Sequence, residues 1–175
     1  MLPQMQHRAI HLAFALSLTF FLYPSSGGYR KKLPWFDWVA VVFSLGVGAY
    51  LTLDYINLVA RAGDPVTRDL VLGGITILLV LEATRRTMGW PLVIVAAGFL
   101  LYAFFGHLIP GALGHKRYDL SRIIEHMFLT SEGIYGVSIY VTATYVFVFI
   151  LLGSFLTETG GAQSFIDLAF SVTGR

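Results

Sequence analysis

Residues 78–92 (LLVLEATRRTMGWPL) constrain the fold of this chain more than any other stretch. An apolar run ends there in one carboxylate and two guanidinium groups, and a Gly-Trp-Pro sequence then begins a second and longer apolar run. Charged side chains are costly inside a bilayer, so charges at the end of an apolar run mark the point where a membrane helix reaches water. The stretch therefore predicts the end of one membrane helix, a short turn and the start of the next helix.

Composition supports a bilayer as the solvent. Hydrophobic residues make up 56% of the 175-residue chain and charged residues only 13%, with a mean hydropathy of +0.71. A soluble domain carries about a quarter charged residues, and the deficit is explained when lipid covers much of the surface. The net charge of +2 indicates no nucleic-acid partner, and the absence of cysteine excludes disulfides and thiolate metal sites. We predict an all-α, polytopic helical membrane protein.

Five apolar runs predict about five transmembrane helices, separated by breaks rich in glycine and proline. The runs cover residues 10–23, 35–58, 69–84, 90–109 and 134–157. The first has about 14 apolar residues, short of the roughly 20 that span a bilayer, so Arg8 and His11 are expected to extend to the interface. Indole rings favour the headgroup region, which predicts that Trp35, Trp38 and Trp90 are interface anchors.

A different pattern lies between the fourth and fifth runs. Apolar residues recur at i, i+3, i+4, i+7 and i+8 from Leu120 to Phe128, and Arg122, Glu125 and His126 occupy the opposite face. This helix is too short and too polar to cross the bilayer, so it is predicted to lie in the interface. A last amphipathic helix is predicted over residues 165–172.

The charged residues near the ends of the runs are candidates for chemistry. Glu82 and Arg85 stand three residues apart and can pair on one helix face, with Arg86 beside them. Ionisable residues in membrane segments are often functional, so direct ion coupling is one interpretation. The interpretation that we favour is a structural charge pair, in which the arginines flank the helix and neutralise Glu82 locally. Asp54 is predicted to be solvated at the membrane interface.

The sequence contains no recognisable catalytic constellation. Dinucleotide and P-loop fingerprints, a Ser-His-Asp arrangement and an HExxH motif are all absent, which predicts that the chain is not an enzyme and needs no cofactor. His107, His115 and His126 lack the spacing of metal ligands on a common helix face, which predicts no metal site. The hydroxyls of Thr142 and Thr144 either line a polar path or bond to their own helix backbone.

Orientation follows from the basic residues. The dense clusters at 30–32 and 85–86 lie on one side of the membrane if the second and third spans both cross it. The positive-inside rule then places that side in the cytoplasm. The N-terminus would lie outside, which indicates a further helix upstream of residue 1.

Three stretches resemble the membrane component of tripartite ATP-independent periplasmic (TRAP) transporters, and specifically the fused permeases of the TAXI type. They are LVLGGITILLVLEATRRTMGWPL (70–92), YDLSRIIEHMFLTSEGIYGVSIYVTATYVFVFILLGSFLTETGG (118–161) and FIDLAFSVTG (165–174). The shared pattern is E-x-x-R-R-x-x-G, then E-G-I-Y-G, then T-Y-V-F-x-F and a closing D-L-A. The resemblance covers nearly the whole chain.

The resemblance implies a domain organisation. Residues 1–112 are similar to a small Q-like membrane domain of about four transmembrane helices, 113–133 to an interfacial amphipathic connector, and 134–175 to the start of the M-like transport domain. In this family the M-like domain carries substrate and Na⁺ by an elevator movement, and its re-entrant hairpins hold both. Those hairpins, and with them the substrate- and ion-binding residues, are expected beyond residue 175. The chain would then be a fragment, truncated at both ends, that is mainly scaffold.

The resemblance also implies a function. The chain would be the membrane component of a binding-protein-dependent secondary transporter that takes up small organic anions by an ion gradient, here of Na⁺. Its implied partners are the lipid bilayer, the rest of the M-like transport domain and a periplasmic substrate-binding protein. Its implied location is the bacterial or archaeal cytoplasmic (inner) membrane, which it crosses several times. The alternative is a membrane anchoring or assembly module with no transport role of its own.

Overall fold

The computed structural model describes residues 4–25, 34–61, 63–111 and 113–174, and within these ranges every regular element is a helix. In chain order they are α1 (Gln4–Leu22), α2 (Trp35–Leu53), α3 (Tyr55–Ala60), α4 (Thr67–Met88), α5 (Trp90–Phe105), a 3₁₀ turn (Gly106–Leu108), α6 (Leu120–Phe128), α7 (Val137–Val141), a π-helical segment (Thr142–Val146), α8 (Phe147–Glu158) and α9 (Gly161–Thr173). The predicted all-α class is confirmed. The basic cluster at 30–32, on which the predicted orientation partly rests, lies outside the described residues.

Three helical stretches of the described chain are long and apolar enough to cross a membrane. They are Trp35–Leu53, Trp90–Leu108 and Val137–Glu158, with mean hydropathies of 1.6, 1.9 and 2.1. They correspond to the second, fourth and fifth predicted spans. Helices α1 and α4 have 19 and 22 residues, which gives lengths of about 28 and 33 Å at 1.5 Å per residue, but both contain more polar and charged residues. The membrane class is confirmed, and the number of five spans stays a prediction.

At the start of α1 and the end of α2, which differ from the predicted ends, the fold binds a nearby charged side chain. Helix α1 begins at Gln4. Arg8 was predicted to extend to the membrane interface, but it does not. Its side chain is buried, and its Nη1 donates a hydrogen bond of 2.7 Å to the carbonyl oxygen of Tyr135. Helix α2 ends earlier than predicted because the chain bends at Asp54 (φ −95°, ψ 13°), where the carboxylate accepts a 2.6 Å hydrogen bond from Asn57.

Helix α4 continues through the charged residues that were predicted to flank it. It ends at Gly89, whose φ of 85° lies in the left-handed region that favours glycine. The backbone N–H of Gly89 still donates to the carbonyl oxygen of Arg85 at 3.1 Å, and Pro91, in the first turn of α5, needs no N–H partner. Glu82, Arg85 and Arg86 therefore stand on the last helical turns of α4, which places them side by side.

Helices α1 and α2 are antiparallel and pack closely at a glycine. The side-chain amide of Gln6, near the start of α1, donates a 2.8 Å hydrogen bond to the carbonyl oxygen of Thr52, near the end of α2. A Cβ at Gly48 would lie 2.5 Å from the Cβ of Ala13. Because real carbon atoms do not approach so closely, glycine is required at this crossing.

Helix α6 packs against α4 at a second glycine. A Cβ at Gly73 would lie 2.5 Å from Cγ2 of Ile124 and 3.0 Å from Cβ of Phe128. Phe128 is fully buried, so part of the apolar face of α6 contacts protein. The interfacial position of this helix stays a prediction.

The E-G-I-Y-G sequence forms the tight turn that follows α6. The backbone N–H of Ile134 donates to the carbonyl oxygen of Met127 at 2.9 Å, and a Cβ at Gly133 would lie 2.5 Å from the backbone of the same methionine. Tyr135 is buried, and its ring centroid lies 6.1 Å from that of Phe128. Close packing accounts for the glycine and the tyrosine of this motif.

The chain divides into two compact units, Met1–Ile139 and Tyr140–Arg175. The second unit contains the π-helical segment, α8 and α9, and the last two are separated at Gly160, which has a φ of 71°. The amphipathic helix predicted over residues 165–172 lies within α9, whose residues are mostly exposed. The predicted domain boundaries at residues 112 and 133 stay predictions.

The α1–α2 crossing generates a stability prediction. Gly48→Leu should destabilise the protein by about 1–3 kcal/mol, because the added side chain overpacks the contact with α1. Gly46→Leu is the matched control, since a Cβ at Gly46 meets no atom within 4 Å. Thermal unfolding of the purified protein in detergent compares the two, and equal melting temperatures would contradict the close packing.

Candidate functional site: two ion-pair networks

Charged side chains converge where the end of α1, the start of α2 and the end of α4 meet. We call this cluster the Arg86 network; it consists of Asp37 from α2 and of Glu82, Arg85 and Arg86 from α4. Helical spacing at i+3 and i+4 places both arginines on the same face of α4 as the glutamate. The contact between α4 and α2 depends on the tertiary fold.

Glu82 is the acceptor that both arginines of α4 share. Arg85 forms a two-pronged contact, with Nε 2.7 Å from Oε2 and Nη2 2.7 Å from Oε1. The Nε of Arg86 also donates to Oε1 at 2.7 Å. The side chains of Glu82 and Arg85 are each 34% exposed, so this pair lies partly in solvent. The geometry is that of the predicted charge pair, and the structural role assigned to it stays a proposal.

Arg86 extends the network to the other two helices. Its Nη1 lies 2.7 Å from Oδ1 of Asp37, as an ion pair without the alignment of a hydrogen bond, and donates to the carbonyl oxygen of Tyr23 at 3.1 Å. The side chain of Arg86 is only 8% exposed and that of Asp37 is 0% exposed. The guanidinium carbon lies 4.8 Å from the ring centroid of Phe20, in cation–π contact.

The sequence did not predict the ion pair between Asp37 and Arg86. An aspartate in the first turn of a helix is already explained by the helix dipole, so nothing local required a distant partner. Asp37 also accepts a 3.0 Å hydrogen bond from the backbone N–H of Ser25, which ties the chain after α1 to the start of α2. The one available signal was that two arginines share the single carboxylate of Glu82, which leaves one positive charge without a local partner.

The three predicted interface anchors lie near this network. Trp35 and Trp38 stand in the first turn of α2 and Trp90 begins α5; the side chains are 65%, 53% and 62% exposed. Trp38 packs edge-to-face on Phe21 at 5.4 Å, and the guanidinium of Arg85 lies 5.6 Å from the Trp90 ring centroid. Exposed indoles at one end of the helices suit the headgroup region, and their role as anchors stays a prediction.

A second cluster lies at the opposite ends of α2 and α4. We call it the Arg61 network; it consists of Tyr50, Asp54, Arg61 and Asp69. Arg61 contacts Oδ2 of Asp54 at 2.7 Å, Oδ2 of Asp69 at 3.1 Å and the hydroxyl oxygen of Tyr50 at 2.9 Å. The Tyr50 hydroxyl in turn donates to Asp69, which is fully buried. Asp69 also accepts from the backbone N–H of Val66 at 3.1 Å and so closes the start of α4.

The sequence predicted that Asp54 is solvated at the membrane interface. In the structure its carboxylate is instead bound by Arg61 and Asn57. Its side chain is 24% exposed. The hydrogen bonds from Asn57 and Arg61 lower the pKa of Asp54, and the bonds to Asp69 and Asp54 raise the pKa of Arg61. Both groups stay ionised at neutral pH, which keeps the network a fixed set of charges.

Glu125 connects α6 to the turn before α4. Its Oε1 accepts from the backbone N–H of Gly63 at 2.9 Å and its Oε2 from Nη1 of Arg122 at 2.9 Å. The amphipathic pattern predicted Glu125 on the polar face of an interfacial helix, whereas its side chain is only 10% exposed. The amphipathic pattern does not distinguish a polar face in water from one that binds a neighbouring turn.

His115 and the hydroxyl of Thr144 in the fifth span have partners within the protein. Within the described residues no group of three or more histidine, aspartate or glutamate side chains is arranged to hold a metal. His115 lies near the ring of Tyr102, at 5.2 Å, and its Nε2 is 3.1 Å from the carbonyl oxygen of the same residue. Thr144 donates to the carbonyl oxygen of Tyr140 at 2.7 Å, in its own helix.

The fifth span is interrupted at these hydroxyls. The backbone N–H of Phe147 donates to the carbonyl oxygen of Thr142, five residues earlier, which is the bond that defines a π-helix. Sequence periodicity did not predict this segment, because a helix that is apolar on all sides has no apolar stripe whose rotation would reveal an extra residue. Single-turn π segments within α-helices are frequent at functional sites.

The Arg86 network predicts unequal effects for two adjacent arginines. Arg86→Gln should cost about 3–5 kcal/mol of stability, because it leaves the buried carboxylate of Asp37 without its partner. Arg85→Gln should cost less than about 1 kcal/mol, because its pair is partly exposed. Thermal unfolding in detergent measures both. The double variant Arg86→Gln/Asp37→Asn should recover part of the loss, and equal losses for the two single variants would contradict this assignment.

The family model described as "Tripartite ATP-independent periplasmic transporter, DctM component" matches residues 75–175, more than half of the chain. No curated protein matches the chain, and no solved structure does. The matched range begins within α4 and includes Glu82, Arg85 and Arg86.

Proposed function

We propose a function from the premise that the chain belongs to the family of the DctM component of tripartite ATP-independent periplasmic transporters. Family membership and the apolar helices make it a multi-pass membrane component of such a transporter, which is not an enzyme family. We propose further that this component serves ion-gradient-driven uptake of small organic anions. Within it, residues 4–139 of the described chain act as scaffold.

The scaffold role is supported by the charge balance of the Arg86 network. Two carboxylates face two guanidinium groups there, and the most buried members, Asp37 and Arg86, pair with each other. An electroneutral, mutually bonded cluster has no unpaired charge with which to bind a transported ion. Holding three helices together is the role that such a cluster performs best.

The finer transport proposal is supported by the family description and by the sequence resemblance. A tripartite periplasmic transporter implies further components, and we propose that one is a periplasmic substrate-binding protein that delivers the anion. We also propose Na⁺ as the coupling ion, the TAXI type, and the cytoplasmic membrane of a bacterium or archaeon as the location. The Q-like domain over 1–112, the connector over 113–133 and the M-like start over 134–175 belong to the same proposal.

Uptake by proteoliposomes tests the transport proposal. The transporter that contains this chain is reconstituted, and radiolabelled succinate and glutamate are supplied as probes with the purified periplasmic binding protein outside. An inward Na⁺ gradient should drive accumulation of one probe, and replacing Na⁺ by K⁺ or omitting the binding protein should abolish it. Accumulation of neither probe above the level of empty liposomes, or equal accumulation in K⁺, would contradict the proposal.

Glu82→Gln separates the scaffold role from ion coupling. The substitution removes the shared acceptor of both arginines, so it should lower the melting temperature and the yield of assembled transporter. The apparent Na⁺ affinity and the substrate KM of the transporter that does assemble should stay unchanged. An unchanged melting temperature together with lost Na⁺ dependence would overturn the structural role of Glu82. Thr87→Ala, at an exposed position on the same helix, is the control.

A further inference from the structure

Two neighbouring cavities lie within the first unit, one between α4, α5 and α6 and the other between α5 and α6. The larger, about 440 Å³, is walled by apolar side chains and runs between Leu78 of α4 and Leu101 of α5. The smaller, about 380 Å³, is lined by Tyr118, Arg122 and His126. Ile123 of α6 lines both cavities, so they adjoin each other. We call them the apolar groove and the polar mouth.

One wall of the apolar groove is formed by a candidate membrane span. Its α5 wall belongs to the candidate span Trp90–Leu108, of which only 6% is buried inside the protein. Its α4 wall includes Gly74, where a Cβ would meet no atom within 4 Å. The missing side chain therefore leaves the groove open along α4, and a bilayer supplies acyl chains to fill such a space.

The stretch 116–125, which contributes Tyr118, Arg122 and Ile123 to the polar mouth, carries a positive excess. Arg122, whose side chain is 63% exposed, follows the exposed Lys116 and Arg117 of the segment before α6. The carboxylates in the same stretch are Asp119 and Glu125, and Glu125 is already bound by a backbone N–H and by Arg122. Three cations against two carboxylates leave one positive charge, and the exposed part of Arg122 can receive a further acceptor.

We propose that the groove and the mouth together bind one anionic phospholipid. The phosphate lies at the mouth within reach of Arg122, with Tyr118 and His126 as further polar contacts, and one acyl chain lies in the groove beside Gly74. A charged headgroup alone would engage only the mouth, and a neutral lipid only the groove. The juxtaposition of the two cavities at Ile123 favours a ligand that has both parts.

Native mass spectrometry of the purified full chain tests this proposal. Detergent micelles are doped with equal amounts of palmitoyl-oleoyl phosphatidylglycerol and phosphatidylcholine, which differ in headgroup charge and share their acyl chains. The wild type should retain phosphatidylglycerol in preference. Arg122→Gln should reduce that preference about fivefold, since one basic residue near an anionic headgroup contributes about 1 kcal/mol. Gly74→Leu should reduce retention of both lipids because the new side chain fills the groove.

Each variant has a matched control at a site outside the cavities. Arg68→Gln removes an exposed arginine at the start of α4, and Gly98→Leu adds the same side chain to α5 at a position with open space around it. Both should retain the lipids as the wild type does. Should Arg122→Gln lower the melting temperature, Gly74→Leu decides the outcome, because it adds a helix-favouring residue into open space.

Three results would overturn the proposal. Equal retention of the two lipids by the wild type would exclude recognition of the headgroup charge. Equal losses in Gly74→Leu and Gly98→Leu would exclude the groove as the site of the acyl chain. Full displacement of phosphatidylglycerol by inorganic phosphate would show that the mouth binds phosphate alone. These outcomes do not depend on uptake of any substrate, so failure of the transport proposal would leave them unaffected.

Discussion

The buried ion pair between Arg86 and Asp37 is the interaction on which one end of the first unit depends. Both side chains are almost completely removed from solvent, where an unpaired charge costs several kcal/mol. Separating the two helices would leave both charges without a partner. The last turn of α4 and the first turn of α2 are therefore held together. The bonds from Arg86 to the Tyr23 carbonyl and from Ser25 to Asp37 attach the end of α1 to the same point.

Away from this ion pair, helices of the first unit also pack closely at two glycines. Gly48 lets α2 approach α1, and Gly73 lets α6 approach α4, because neither position has space for a Cβ. In lipid the hydrophobic effect does not drive helices together, and association depends on such close contacts and on polar bonds. The Arg61 network supplies polar bonds at the opposite end, where Asp69 is fully buried. Small residues thus allow close packing along the helices, and charge networks bind the helices to one another at their ends.

The charge networks also bear on the function of the chain. The chain belongs to the family of a transporter's membrane component, and such a component needs parts that hold its helices in place. The Arg86 network, which joins Glu82, Arg85 and Arg86 of the matched range to Asp37 outside it, is balanced internally, and this balance suits a holding part. Three features that are candidates for binding or movement are not part of this network. They are the apolar groove beside Gly74, the polar mouth at Arg122 and the π-helical segment from Thr142 to Val146.

The sequence by itself determined the class of the protein and the local partners of its charges. Apolar run lengths predict membrane helices because the bilayer thickness sets them, and the i+3 and i+4 spacing predicts that Glu82 meets Arg85 and Arg86 because helical geometry requires it. The helix ends at Gly89 and Asp54 were only approximately predictable, since local side-chain bonds decide them. The tertiary structure alone decided that Arg86 meets Asp37. It also decided that Arg8 meets the carbonyl of Tyr135 and that Glu125 meets Gly63. Those partners are distant in sequence, and a buried charge selects whichever complementary group the packing of whole helices brings within reach.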